Sequence, residues 1–274
     1  MKTILLATNL GPMSRFALKR ALLLARRRNA ALHVLHVTDR VADTLEDPLG
    51  QHVDEVVEWL ERELEDDFGA GFRPASIGRI AGSPAAAIVA KSEAIGADLL
   101  VVGLTERPAG DRFLEGTILE RLLLLTPTPL LVARTEPKGC YEKALVGLDL
   151  GPTSRRALET ALKVAPTADF LIVHANEADV SDSGLHDKIN NVAQHCFAAA
   201  RRAVGFLEGA IEIRVETGSV GGAMQRNARR FNPDLVAFGK HNKGVSAGPH
   251  LGTGARAILE NLDTDMLVTM SVAT

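Results

Sequence analysis

Nearly continuous apolar runs alternate along the chain with longer segments whose apolar residues recur at helical spacing. A run that is apolar throughout is typical of a strand buried on both faces, and intervening helices imply that such strands pair in parallel. The pattern therefore predicts an α/β fold in which each half of the chain is a doubly wound sheet of five parallel strands. The predicted strands of the first half lie within residues 4–7, 32–37, 73–81, 99–102 and 130–133.

The second half repeats the landmarks of the first at a nearly constant distance. Asp149 follows Asn9 by 140 residues, and Gly239 follows Gly103 by 136 residues. A period of this size corresponds to a whole domain and not to a short solenoid repeat. The sequence therefore predicts a duplicated domain, with the copies at residues 1–135 and 141–274.

In each half the fourth predicted strand leads into a glycine-containing loop and then into the start of a helix. These loops span residues 103–117 and 239–254. Backbone N–H groups at a helix start, together with the positive end of the helix dipole, favour an anion such as phosphate. The loop that follows the first strand, with Asn9 or Asp149, should lie beside it, because α/β sheets bind ligands where the strand order reverses. We expect one crevice in each half.

These landmarks resemble the universal stress protein family in its tandem two-domain form, over nearly the whole chain. The family fingerprint is Gly-x2-Gly-x9-Gly-(Ser/Thr) after the fourth strand, with an Asp closing the first strand. The resemblance implies a cytoplasmic stress-response protein with two sheets of strand order 3-2-1-4-5, an adenine nucleotide alpha hydrolase-like fold. It also implies ATP binding in the crevice. Family dimers meet along the fifth strand, so we expect the halves to form an intramolecular pseudo-dimer, with a homodimer of the whole chain as a further option.

Both halves depart from the fingerprint at its second glycine, where Glu106 and Asn242 stand. Family members without the fingerprint typically do not bind ATP, so two interpretations stay open: an adenine-nucleotide sensor, or a nucleotide-free scaffold that acts through partners or self-association. A carboxylate at position 106 would repel phosphate by about 1 kcal/mol at ~4 Å in water, and by more in a partly desolvated crevice. Asn242 is neutral, and Lys240 and Lys243 add positive charge nearby. The charges therefore favour nucleotide binding in the second half.

The resemblance assigns roles to the residues that match the family pattern. Asp149 would hold ribose or adenine groups, and the backbone of Ala175 would contact adenine. Backbone groups along the glycine-containing loop would hold the phosphates, with the Thr253 hydroxyl as a further donor. A magnesium ion could accompany the nucleotide, although no carboxylate cluster demands one. The predicted nucleotide-binding residues are Asp149, Ala175, Gly239, Asn242, Gly252 and Thr253 in the second half, and their counterparts Asn9, Val37, Gly103, Gly116 and Thr117 in the first.

Composition argues against several other classes of protein. Hydrophobic residues make up 46% of the chain and charged residues 24%, as in soluble globular proteins, and the net charge of -3 argues against a nucleic-acid partner. No apolar run approaches the roughly 20 residues that span a bilayer. Cys140 and Cys196 lack metal-ligand spacing and favour a reducing cytoplasm. Because no hydrolase nucleophile motif is present, we expect binding with at most incidental ATP hydrolysis, and we interpret His36 and His174 as hydrogen-bonded core residues.

Overall fold

The chain divides into two compact units, and a computed structural model describes most of each. The first unit comprises residues 1–128 and 132–137, and the second comprises residues 129–131 and 138–274. The described residues are 1–11, 14–38, 56–61, 73–104, 117–176, 183–240 and 252–270.

The first sheet consists of parallel strands in the order β3-β2-β1-β4-β5. Thr8 lies opposite His36 on the neighbouring β2, and Ala7 lies opposite Val102 on the neighbouring β4. The strands are β1 (Thr3–Thr8), β2 (Ala31–Thr38), β3 (Ser76–Ala81), β4 (Leu99–Gly103) and β5 (Leu130–Ala133). The helices are α1 (Ser14–Arg28), α2 (Pro84–Ala94) and α3 (Ile118–Leu125), and residues 56–61 are also helical.

The second sheet repeats this arrangement in the order β8-β7-β6-β9-β10. Val146 on β6 lies opposite Ala237 on β9, as the corresponding residues Leu6 and Val101 do in the first sheet. The strands are β6 (Lys143–Gly147), β7 (Asp169–Asn176), β8 (Ile211–Thr217), β9 (Leu235–Lys240) and β10 (Asp265–Met270). The helices are α4 (Pro152–Val164), α5 (Ser183–Val204), α6 (Val220–Phe231) and α7 (Thr253–Asn261).

The predicted fold is confirmed in each unit, because the strands of both sheets follow the order 3-2-1-4-5 when numbered within their own half. The central strands are buried along almost their whole length, as their continuous apolar runs predict. The order reverses between the first and fourth strands of each unit, so the switch point lies at the carboxyl ends of β1 and β4 and of β6 and β9.

A carboxylate that the sequence analysis did not single out fixes the start of the first strand in each unit. Asp98 accepts hydrogen bonds from the backbone N–H groups of residues 2 and 3, at 2.5 and 3.1 Å. Asp234 does the same for residues 142 and 143, at 2.8 and 3.0 Å. Each carboxylate stands just before the fourth strand of its unit, so the contact holds the fourth strand against the first.

The second unit also contains a buried polar pair. The Tyr141 hydroxyl donates a hydrogen bond of 2.7 Å to the Asp265 carboxylate, and neither residue is exposed by more than 2%. Buried polar groups need such partners, because desolvation otherwise costs more than the side chain gains by packing. The pair ties the segment before β6 to the start of β10.

Candidate ligand crevices at the switch points

The turn after the first strand has the same geometry in both units. In the first, the Asn9 side-chain oxygen accepts from the Ser14 hydroxyl at 2.6 Å and from the backbone N–H two residues on at 3.0 Å. In the second, Asp149 accepts from the Ser154 hydroxyl at 2.5 Å and from the corresponding N–H at 2.9 Å. The residue after each is a leucine with a positive φ, of 60° and 66°. Asn9 and Asp149 therefore stabilise a turn that leads into a helix.

The two strand histidines are hydrogen-bonded within their sheets, as the sequence analysis predicts. His36 Nδ1 lies 2.9 Å from the carbonyl oxygen of Thr8, and His174 Nδ1 lies 2.7 Å from that of Leu148. A carbonyl accepts but cannot donate, so Nδ1 carries the proton in both rings. These contacts hold the end of the second strand beside the end of the first. The residue that follows each histidine lines a crevice.

The crevice of the first unit is a cavity of about 220 Å³ at the carboxyl ends of β1, β2 and β4. It brings together four of the five residues predicted for this half: Asn9, Val37, Gly103 and Thr117. The fifth, Gly116, lies outside the described residues. The remaining walls are mainly aliphatic side chains from the strands and from α2 and α3.

The crevice of the second unit has a volume of only about 60 Å³. Asp149, Ala175 and Gly239 line it, together with Ala255 and Ile258 of α7. Three residues predicted from separate segments of the second half thus line one crevice. Asn242 lies outside the described residues.

The two crevices differ by an aromatic side chain at one sheet position. Phe238 lines the second crevice at the sheet position that Val102 occupies in the first. Its ring is buried, with 4% of the residue exposed, so it fills space that a valine leaves open. The first crevice is therefore the larger one, although the loop charges favour nucleotide binding in the second.

The helix at each crevice begins differently. In the first unit Thr117 is the N-cap of α3, and its hydroxyl oxygen accepts the backbone N–H of Glu120 at 3.0 Å. In the second unit Gly252 is the N-cap of α7 and Thr253 is the first helical residue. Among the described residues, no side chain caps this helix. The two threonines match in sequence, yet they occupy different helical positions.

Gly239 has a packing role that the sequence analysis did not identify. A Cβ at this position would lie 2.5 Å from the backbone nitrogen of Ser154, which real contacts essentially never allow. Glycine therefore lets the start of α4 pack against the end of β9. The next residue, Lys240, was expected to supply positive charge near a ligand. It is only 2% exposed, and burial lowers the pKa of its ammonium group.

Two features of the described ranges concern metals and membranes. Within them, no group of three or more histidine, cysteine, aspartate or glutamate side chains is placed to hold a metal ion. No helix there is both long enough and apolar enough to cross a membrane.

The fold and the paired crevices define a tandem α/β protein in which each unit has a crevice at its topological switch point. The sequence profile of the universal stress protein family matches residues 1–134 and again residues 141–269. The chain therefore belongs to the universal stress protein family, in its tandem form.

Solved structures share this fold over the whole chain. A universal stress protein from Archaeoglobus fulgidus DSM 4304 matches with a TM-score of 0.73 and 19% identity, covering 98% of this chain and 96% of its own. A putative universal stress protein from Pseudomonas aeruginosa UCBPP-PA14 matches with a TM-score of 0.65 and 19% identity, covering 98% and 93%. No curated protein matches the sequence. At these identities the likeness establishes the fold alone.

Proposed function

We propose that this protein is a cytoplasmic stress-response regulator that binds an adenine nucleotide such as ATP in the crevice of its second unit. It acts through that binding and not through turnover. The observation that carries the proposal is the start of α7, which no described side chain caps and which adjoins the crevice of Asp149 and Ala175. The proposed contact residues are Asp149, Ala175, Gly239, Asn242, Gly252 and Thr253.

The start of α7 suits the phosphates of a nucleotide. The first backbone N–H groups of a helix have no acceptor within the helix, and the helix dipole adds a partial positive charge there. Apart from its chain neighbours, no atom of the described residues lies within 4 Å of the point where a Cβ of Gly252 would stand, which favours close approach of an anion to the backbone. In the first unit the Thr117 hydroxyl takes one of these N–H groups, and the carboxylate of Glu120 lies in the first helical turn. An anion is therefore favoured in the second unit.

Asp149 suits the sugar of a nucleotide. Its carboxylate lines the crevice, and a carboxylate is an acceptor that suits a ribose hydroxyl. A hydrogen bond to a charged acceptor is stronger than a hydrogen bond to a neutral amide oxygen, such as that of Asn9 in the first unit.

One observation favours a different function. The second crevice holds only about 60 Å³, so Phe238 must move before a base can enter. If that ring stays in place, the unit is a nucleotide-free scaffold that acts through a partner or through self-association. The alternative predicts a purified protein that carries no nucleotide and takes up none.

Two measurements separate these functions. Mass spectrometry of small molecules released from the purified, denatured protein tests whether a nucleotide accompanies it. Calorimetric titration with ATP then compares the wild type with Thr253→Pro. Proline is compatible with the first position of a helix, so this variant should fold while losing one N–H and one hydroxyl. Loss of a hydrogen bond to phosphate, about 1.5–3 kcal/mol, predicts at least about a tenfold weaker ATP affinity.

The matched control is Ile118→Pro, which alters the first helical position of α3 in the first unit. It should leave ATP affinity unchanged. Weakening by Ile118→Pro but not by Thr253→Pro would move the nucleotide to the first unit. An absence of both copurified nucleotide and ATP binding would establish the scaffold alternative.

A further inference from the structure

The side chain just before the last glycine of the fourth strand differs between the units. Val102 stands there in the first unit and Phe238 in the second. Ala7 is the cross-strand neighbour of Val102, and Gly147 holds the equivalent position beside Phe238. A Cβ on Gly147 would lie 3.8 Å from the Cβ of Phe238. Val102 and Phe238 thus occupy equivalent sheet positions, and each lines the crevice of its own unit.

The cavity beside Val102 is suited to a neutral ligand. None of the described side chains that line it is charged, and its walls include Ile88, Leu104 and Leu122. A charged group that entered would lose hydration, and it would meet no partner of opposite charge among the described lining residues. The principal polar acceptors at its rim are already engaged, since Asn9 accepts within its own turn and Thr117 accepts from its own helix.

The size of the cavity sets the size of the ligand. In other proteins, a dry apolar cavity of about 150 Å³ admits a benzene molecule. The cavity here is larger, at about 220 Å³, and accommodates one or two fused rings. The second crevice, at about 60 Å³, has no such room while Phe238 keeps its position.

We propose that the first unit binds a neutral, largely apolar small molecule of one or two rings, and that the residue at position 102 or 238 determines which unit accepts it. The two units then respond to different ligands: an uncharged ring compound in the first and an anionic one in the second. The site in the first unit does not depend on nucleotide binding, because it concerns a different crevice and a different chemistry; only the contrast with an anionic ligand in the second unit rests on the proposed function.

Indole is a suitable probe because it is neutral and consists of two fused rings. Isothermal titration of the full-length protein should show one indole site per chain. Val102→Phe, which places the ring of the second unit in the first crevice, should weaken indole binding at least tenfold. The reciprocal Phe238→Val should raise the stoichiometry from one site to two. Thermal unfolding of each variant establishes that it is folded.

Four results would contradict the proposal. One is the absence of indole binding to the wild type, and another is wild-type affinity in a folded Val102→Phe variant. If that variant does not fold, Phe238→Val decides, because a stoichiometry that stays at one would refute the role of this position. Saturating ATP should leave indole binding to the wild type unchanged, and its displacement would refute the assignment of separate ligands to the two units.

Discussion

Ser154 donates its hydroxyl hydrogen to the carboxylate of Asp149 across 2.5 Å, and Ser14 makes the equivalent bond to Asn9 across 2.6 Å. The turn is the same in both units although one acceptor is an acid and the other an amide. An amide oxygen therefore suffices to form this turn. The negative charge of Asp149 is therefore not required for the turn, and the proposed function gives that charge a separate role, toward the ligand.

Asp149→Asn tests this separation of roles. Because the amide keeps the oxygen acceptor, we expect the free energy of unfolding to change by no more than about 0.5 kcal/mol. ATP affinity should fall about fivefold, since a charged acceptor makes a hydrogen bond about 1 kcal/mol stronger than a neutral one does. Urea unfolding and ATP titration measure the two effects. Asn9→Asp is the matched control and should leave ATP affinity unchanged; a large loss of stability in Asp149→Asn would instead make the charge structural.

The two cysteines should differ sharply in reactivity. Burial, with a smaller effect from Glu159, raises the pKa of the Cys196 thiol to about 11. Only about one such thiol in a thousand is then a thiolate at pH 8, and the thiolate is the reactive form. Cys140 is half-buried. With an aromatic disulfide reagent at pH 8 we expect one prompt equivalent, from Cys140, and a second only after unfolding.

Cys140→Ser provides the assignment in that experiment. It should abolish the prompt reaction in the folded protein and leave the delayed one intact. A prompt equivalent that survives this change would show that Cys196 is accessible.

Protonation of the Glu216 carboxylate should make the second unit less stable in acid. Burial alone would raise the pKa of this carboxyl, but hydrogen bonds from Asn227 and Arg226 outweigh it and hold the pKa below its ordinary value. The unfolded chain therefore binds the proton more readily, so this stabilisation is present above the unfolded pKa and is lost as pH falls through the folded pKa.

Glu216→Gln should accordingly lower the free energy of unfolding at pH 7 by on the order of 1 kcal/mol, with a difference from the wild type that shrinks below about pH 4.5. Urea unfolding between pH 3 and pH 7 measures it. Glu208→Gln removes an exposed carboxylate of the same unit and serves as the control. A difference that stays constant across this range would contradict the ionic role of Glu216.

Local sequence signals located the elements and many residues of the crevices. The predicted strand at 130–133 coincides with β5, and the third strand lies at residues 76–81, inside the predicted range. Asp149, Ala175 and Gly239 come from separate segments of the chain, yet they line one crevice. These features follow from apolar periodicity, from the repeat and from the topology of parallel sheets, all of which can be read along the chain.

Other features depend on contacts between distant segments. The role of Asp98 and Asp234 requires knowing which strand starts lie side by side, and the packing role of Gly239 requires knowing that α4 begins against β9. The burial of Lys240 likewise has no local signal, because its neighbours in sequence place it in a charged loop.

The sequence by itself determined that one domain is written twice, that each copy is a doubly wound sheet, and that a crevice lies at each switch point. Only the tertiary structure decided how the two crevices differ. The side chain of Phe238 occupies space in the second crevice that Val102 leaves empty in the first. Thr117 caps its helix, whereas Thr253 does not. The physical reason is that strand and helix patterns depend on the type of residue along the chain, whereas cavity volume and helix capping depend on how particular side chains meet in space.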